Sequence, residues 1–257
     1  MPPDVPPETW FNHEKLDAYQ SSLEFVGWSA PWLQGLQPAI SARDHLLRAS
    51  ESISRNIVRA NAKPKGPDRA QTFDISYGSA LECAACLDVL ACWRLIEPGR
   101  VLEGKTLLDR VVATVIGLRG AEGMQAREAS APYGASDDAG SQFIFAHEKL
   151  QVFQSALRFV SWSAALLQSE PVGMTRGRDL DRQCTSIVLN IAEGNGKFSV
   201  TDRIRFLEIA QASGLQAATS LDLMLTRSTI SPATAAQGKC HLEEIVSMLL
   251  ALSSSLS

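Results

Sequence analysis

Apolar positions along the chain recur at steps of three and four, the spacing that gathers side chains on one face of an α-helix. Leu16, Tyr19, Leu23, Val26 and Ala30 set out a first helix, and Leu46, Ser50, Ile53, Ile57 and Ala60 a second. Phe73, Tyr77, Ala80, Ala84, Leu87 and Ala91 define a third, ended by Pro98-Gly99, and Leu108, Val111, Val112, Val115 and Leu118 a fourth. No stretch sustains the alternation of a half-buried strand. Pro64-Lys65-Gly66-Pro67 must interrupt the chain between the second and third helices. One apolar stripe per helix with short connections predicts an up-down-up-down four-helix bundle. Trp28, Trp32 and Trp162 read as anchors between helices.

The pattern then starts again. His13-Glu14-Lys15-Leu16 returns as His147-Glu148-Lys149-Leu150, an offset of 134 that holds without a gap. The first stripe recurs as Leu150, Phe153, Leu157, Val160 and Ala164, the second as Leu180, Cys184, Ile187, Ile191 and Gly194, and the fourth as Leu242, Ile245, Val246, Leu249 and Leu252. Leu87-Asp88 and Gly104-Lys105 return as Leu221-Asp222 and Gly238-Lys239. Roughly 30 identities over about 106 aligned positions mark a duplicated unit. The predicted fold is therefore all-α, two tandem four-helix bundles, with a leader at 1–12, copy one at 13–119, a linker at 120–142 and copy two at 143–257. The linker is assigned from its Gly, Ala, Ser and Asp content and its lack of an apolar period. Each half is expected to fold around its own interior. In copy two, Gly194-Asn195-Gly196 ends the second helix, and Ser199 with Asp202 forms a capping arrangement for the third.

Composition sharpens this picture. With 257 residues, 45% hydrophobic and 20% charged, the chain is long enough for two cores and is not of disordered composition. A net charge of −4 excludes a chain-wide positive field, so any nucleic-acid contact must use a local patch. The opening Met1-Pro2-Pro3-Asp4-Val5-Pro6-Pro7 lacks the basic and apolar regions of a secretory leader, and no long continuous apolar run is present. A cytoplasmic protein is expected. The five cysteines, an odd number, fit a reducing compartment.

The clearest charged feature is Arg48, Arg55, Arg59 and Lys63 on one face of helix two, opposite Ile53 and Ile57, a row that could grip phosphate or an acidic partner. Copy two offers the sparser set Arg182, Lys197, Arg203 and Arg205. Asn56 and Asn190 sit beside the apolar stripe, where a side-chain amide can hold a helix end or a neighbouring helix. Glu193 could pair with a basic residue such as Arg182 or Arg205, a contact that sequence does not establish. Cys83 and Cys86 have a metal or thiol spacing, but they lie within a helix without a second such pair, so packing is the expected role. His13-Glu14 and His147-Glu148 lack the second histidine of a zinc-protease helix and read as surface or helix-end residues. The sequence contains no Glu-x-x-His pair, no Arg followed four to six residues later by His, no phosphate loop and no nucleophile elbow. A chain without catalytic residues, metal or cofactor is expected.

Asn190-Ile191-Ala192-Glu193-Gly194-Asn195-Gly196-Lys197, followed by Arg205-Phe206-Leu207-Glu208-Ile209-Ala210, resembles the bacterial four-helix-bundle family of ribosomal-RNA intervening-sequence proteins, as does the opening His147-Glu148-Lys149-Leu150. The resemblance covers nearly all of both copies. It implies kinship with the accessory variability proteins of diversity-generating retroelements, which form oligomeric barrels and bind a reverse transcriptase and its RNA. The two copies depart from the motif differently. Copy one keeps Asn56-Ile57 but has Val58-Arg59-Ala60-Asn61-Ala62 in place of Ala-Glu-Gly-x-Gly. It retains Gly78-Ser79 and Glu82, where copy two has Ala212-Ser213 and Gln216. Division of roles and drift both account for this. The expected function is a non-catalytic helical adaptor or scaffold for a protein or protein–RNA partner, or for its own copies. The alternatives are an RNA-binding accessory subunit of a reverse transcriptase and a metal- or small-molecule-binding bundle enzyme.

Overall fold

A computed structural model describes residues 10–37, 40–121, 143–169 and 173–256, and among them every regular element is helical. Copy one comprises α1 (Asp17–Leu33), α2 (Ser41–Asn61), α3 (Pro67–Cys92) and α4 (Pro98–Gly120). Copy two comprises α5 (Gln151–Gln168), α6 (Gly173–Asn195), α7 (Val200–Thr226) and α8 (Pro232–Leu256). A short 3-10 turn precedes the first helix of each copy, at Asn12–Lys15 and Ala146–Lys149. Residues 122–142 of the expected linker and 1–9 of the expected leader lie outside the described residues.

Each copy closes as a bundle. In copy one α1 packs on α2 and α4, and α3 on α2 and α4; α5 to α8 repeat the arrangement. The stripes assigned to helices two and four are buried as expected, from Leu46, Ile53 and Ile57 to Leu242, Ile245 and Leu249. Proline ends elements by starting the next ones. Pro98 opens α4 rather than closing α3, because its missing N–H costs nothing in a first turn. Helix α3 ends instead in a Schellman turn: the amide of Leu95 donates to the Leu90 carbonyl, that of Arg94 to Ala91, and Arg94 takes a left-handed φ of 57°. Copy two repeats the turn at Ser228, where φ is 55°.

One glycine in each copy is required by packing. A Cβ on Gly104 would stand 2.5 Å from Cη2 of Trp28, and one on Gly238 would stand 2.6 Å from Cη2 of Trp162. The tryptophans of α1 and α5 therefore lie across the backbones of α4 and α8, which explains why Trp and Gly recur together at the same offset.

The two interiors are not separate, contrary to the expectation of one private core per copy. α3 packs against α5 and α6 as well as its own bundle, and a single apolar cluster runs through both copies. The physical reason is the make-up of α3. Its Leu81, Ala85 and Val89 side is as apolar as its Phe73, Ala80 and Leu87 side, and both are buried. α3 is long and apolar enough to cross a membrane, yet 72% of its most apolar window is buried inside the protein.

The junction also corrects the stripe assigned to the first helix. In α1 the residues facing the bundle interior are Ala18, Ser22, Phe25, Ser29 and Leu33, while Leu23 is exposed. The predicted stripe is a second one. In α5 its members Phe153, Val160 and Ala164 are buried alongside the interior set Val152, Ala156, Phe159 and Ser163. One stripe of α5 serves its own bundle, and the other contributes to the contact with copy one.

Gly→Ala within a helix ordinarily gains up to about 1 kcal/mol. Here the sign should reverse: Gly104→Ala and Gly238→Ala are each expected to lose about 1–3 kcal/mol through overpacking against tryptophan, read from urea midpoints.

Candidate functional site

The chemistry-bearing side chains converge on the junction between the copies. Lys105 on α4 is buried and places Nζ 2.6 Å from Oδ1 of Asp88 on α3 and 3.0 Å from Oε1 of Glu148 in the turn before α5. Burial pushes the Asp88 carboxyl up to about 6 against the pull of Lys105. Burial also pulls Lys105 down, but attraction to Asp88 and Glu148 outweighs it, and its pKa ends above the ordinary lysine value. Glu148 uses its other oxygen to accept the amide of Ile144 at 3.1 Å, which secures the turn.

His147 lies beside this triad, fully enclosed, with its ring stacked on Phe145 at 5.8 Å and set edge-on to Phe153 at 4.8 Å. Neither ring nitrogen has a hydrogen-bond partner among the described residues. Burial first, and then Lys105, lower its pKa to about 3, so the ring is neutral. His147-Glu148 does stand at a helix end, in the turn before α5, but it is buried rather than on the surface: this segment is the plug that seats copy two on copy one. Asp88, His147 and Glu148 bring ligand atoms within 4.8 Å of one another, a donor set that could hold a divalent ion. Lys105 already supplies the positive charge between the two carboxylates, so the geometry accounts for the cluster as an ionic clasp.

The two halves of the split motif meet here. Gly78 of copy one faces Glu193 and Lys197 of copy two, its built Cβ falling 3.2 Å from Oε1 and 3.1 Å from Nζ. A Cβ on Gly196 would run into Leu81 and Tyr77 of copy one. Phe198 packs on Tyr77 at 5.7 Å and carries the Arg119 guanidinium over its ring at 3.7 Å, while Arg119 also pairs with Asp74. Of the motif positions, Gly78 of copy one and Glu193 and Gly196 of copy two are those the junction uses. Further contacts fasten the same seam: the Ser41 amide donates to Asp181 at 2.8 Å, Gln168 Nε2 to the Trp93 carbonyl at 3.3 Å, and Cys92 Sγ to the Leu157 carbonyl at 3.5 Å.

The remaining sequence candidates lie apart from this seam or serve the bundles. Arg48, Arg55 and Arg59 are exposed on α2 opposite buried Ile53 and Ile57, with Arg55 bound to Glu51 at 2.8 Å, and Lys63 donates to the Asp68 carbonyl. Arg182 pairs with Asp179, and Arg205 is exposed on α7. Glu193 pairs with Lys197 at 2.7 Å, one turn on, rather than with Arg182 or Arg205. Lys197 also lies over Phe206 at 4.5 Å, and Arg203 donates to the Lys197 carbonyl at 2.7 Å. Asn56 and Asn190 donate to the carbonyls of Ser52 and Ser186, and those serines bond Ser79 and Ser213 across to the third helix. Glu82 meets Nδ1 of His45 at 2.8 Å. Gly194 allows Phe206 to pack on the end of α6, where a Cβ would come within 2.8 Å. Cys83 and Cys86 are buried thiols whose pKa values burial raises well above the ordinary range, which suits packing.

Sequence reading missed Lys105, Asp88 and Glu148 as a unit, although Asp88 and Lys105 stood among the repeated pairs. The corresponding Asp222 and Lys239 bond at 2.5 Å but remain open to solvent.

Removing the central cation should be costly. Lys105→Met leaves two buried carboxylates without a counter-charge and is expected to lose about 3–5 kcal/mol of stability in denaturant titration. His147 sets a pH dependence. Its folded pKa of about 3 lies below the ordinary 6.5, so the stability it contributes is complete above that value and is lost as pH falls toward 3. Between about pH 7 and about pH 5 this amounts to about 2 kcal/mol, and His147→Leu should remove that much of the stability change across the interval.

A family model for 23S rRNA-intervening sequence proteins matches residues 14–117 and, a second time, residues 148–251. No curated protein and no solved structure matches the chain.

Proposed function

Because the chain belongs to the 23S rRNA-intervening sequence protein family, carrying two copies of its bundle, we propose that it is a helical scaffold that binds a macromolecular partner through bundle faces and performs no chemistry of its own. One observation carries this reading. Residues buried at the junction in one copy have exposed counterparts in the other: Leu81 is 3% exposed and its mate Leu215 is 55%, while Phe145 is 1% exposed and its mate Phe11 is 62%. The chain therefore keeps two preformed recognition faces, one on α7 and one on α1, α2 and the turn before them. Exposed apolar residues concentrated on such faces are what partner surfaces are made of. Lys105, Asp88 and Glu148 at the junction are engaged with one another, which supports a binding role over a catalytic one.

A second reading has its own support. Arg48, Arg55 and Arg59 are exposed along one helix, a spacing suited to phosphates, so the scaffold would serve a protein–RNA complex such as that of a reverse transcriptase. The two readings separate in a titration of a structured RNA hairpin followed by fluorescence anisotropy. The protein-scaffold reading expects weak binding that Arg55→Glu with Arg59→Glu leaves unchanged. The RNA reading expects affinity that falls steeply with added salt, and a further loss on the order of tenfold or more from the double reversal. The scaffold reading fails if turnover of a substrate is found that Lys105→Met or Glu148→Gln abolishes while circular dichroism is unchanged.

A further inference from the structure

One ammonium does not balance the clasp. Asp88 and Glu148 bring two negative charges into the buried junction and Lys105 returns one positive charge, so one negative charge is left over. Acceptors are in surplus as well. Oδ2 of Asp88 is enclosed without a hydrogen-bond partner among the described residues, and so are both ring nitrogens of His147, which is only 1% exposed. A neutral imidazole always carries one nitrogen with a free lone pair. Phe145 and Phe153 hold the ring by stacking and edge contact, but a phenyl ring would fill the same place without desolvating two nitrogens, so packing does not account for a histidine here.

A divalent cation answers both deficits: two carboxylates neutralise it, and the imidazole lone pair gains a partner. One ligand atom from each of Asp88, His147 and Glu148 already lies within 4.8 Å of the other two. Metal–ligand bonds of about 2 Å require the three to draw in by about 1 Å. We propose that these residues form a site for a transition-metal dication of the zinc class, which ties copy one through Asp88 to copy two through His147 and Glu148. The imidazole in the set favours zinc over Mg²⁺ and Ca²⁺, which take oxygen ligands. This goes beyond the scaffold reading and does not depend on it, because the site lies in the seam and partners meet the outer faces.

Lys105 has a place to go. A cavity of about 500 Å³ adjoins the clasp, lined by Asp88, Lys105 and Glu148 together with Val101, Leu102 and Phe143. Leu102 and Phe143 are exposed, so the cavity opens to water. When the metal enters, the ammonium swings into this space, and the same space admits a water as a further ligand. The lysine clasp is the metal-free state of the site.

The duplication supplies an internal control. His13 and Glu14 repeat His147 and Glu148, and the His13 ring is packed in the same way, stacked on Phe11 at 5.7 Å and edge-on to Tyr19 at 5.0 Å. Among the described residues no third donor joins that pair, because the matching Asp222 lies on α7, bound to Lys239.

The test is calorimetric titration of Zn²⁺ into the metal-stripped full chain. Saturable binding of one Zn²⁺ per chain is expected, undiminished by excess Mg²⁺. His147→Leu weakens it by about 100-fold or more, beyond the effect of losing an outer-shell partner, while His13→Leu leaves it unchanged. Lys105→Met removes the competing cation and tightens binding on the order of tenfold. Zn²⁺ also raises the urea midpoint of Lys105→Met, and the double variant Lys105→Met with His147→Leu loses that rescue. Wild-type binding weaker than about 100 μM overturns the proposal. So does Zn²⁺ that stays bound in His147→Leu, which places it elsewhere, as at His45 beside Glu82 or at the exposed Cys240. If Lys105→Met does not fold, the wild-type and His147→Leu titrations decide alone.

Discussion

Helix α3 cannot be left with a solvent face. Beyond the exposed Ile75 near its start it has two apolar sides, Phe73, Ala80, Ala84 and Leu87 turned to its own bundle and Leu81, Ala85 and Val89 turned outward, and both are buried. A four-helix bundle covers only one side of each helix. Exposure of the other side would sacrifice roughly 25 cal/mol for every Å² of apolar surface returned to water, so α3 requires a second bundle. Copy two supplies it, and the tandem arrangement follows from the composition of this helix.

Most of the helices were legible from the sequence because a stripe at steps of three and four has a single structural meaning in a chain without strands. The duplication was legible because the offset never slips. The first stripe read from α1 and α5 was a true stripe assigned to the wrong partner: periodicity reports that a face is apolar and does not say which element will cover it. The relevant signal lay in comparison of the copies. Ala85, Cys86 and Cys92 of α3 correspond to Thr219, Ser220 and Thr226 of α7, and Val188 and Leu189 of α6 correspond to Ser54 and Arg55 of α2. At these registers the apolar member is covered and its polar twin is more open to water, whereas at Leu47 and Asp181 it is the polar member, bound to the Ser41 amide, that is buried.

The clasp was harder to find. Asp88 and Lys105 lie on different helices, and Glu148 lies more than forty residues further along in the other copy, so no local spacing joins them. The basic row on α2 was legible but has an unexpected origin. Arg55 occupies the register of Leu189 and Arg59 that of Glu193, so part of the row is the solvated counterpart of a junction surface. Its charge can be read as adaptation to exposure before any specific ligand is invoked. The split motif follows the same rule. Gly78 in one copy and Gly196 in the other are kept where side chains of the opposite copy press on the backbone, and alanine stands at both equivalent positions where that constraint is lifted.

Covalent linkage changes what a contact can contain. Two bundles on one chain meet at high effective concentration, so their contact does not have to overcome the full loss of translational and rotational freedom. That margin lets the junction tolerate groups that contribute little net stability or oppose it. Three ionisable side chains are desolvated in the clasp, and a neutral imidazole has both ring nitrogens without hydrogen-bond partners among the described residues. What these groups supply is registry. A two-carboxylate clasp on one lysine has a single position in which all three charges are satisfied, whereas a sliding apolar seam has several. The outer faces lack the covalent advantage and carry more polar groups, a combination suited to reversible recognition. The internal contact is thus built to choose one arrangement and hold it, and the external faces to engage and release.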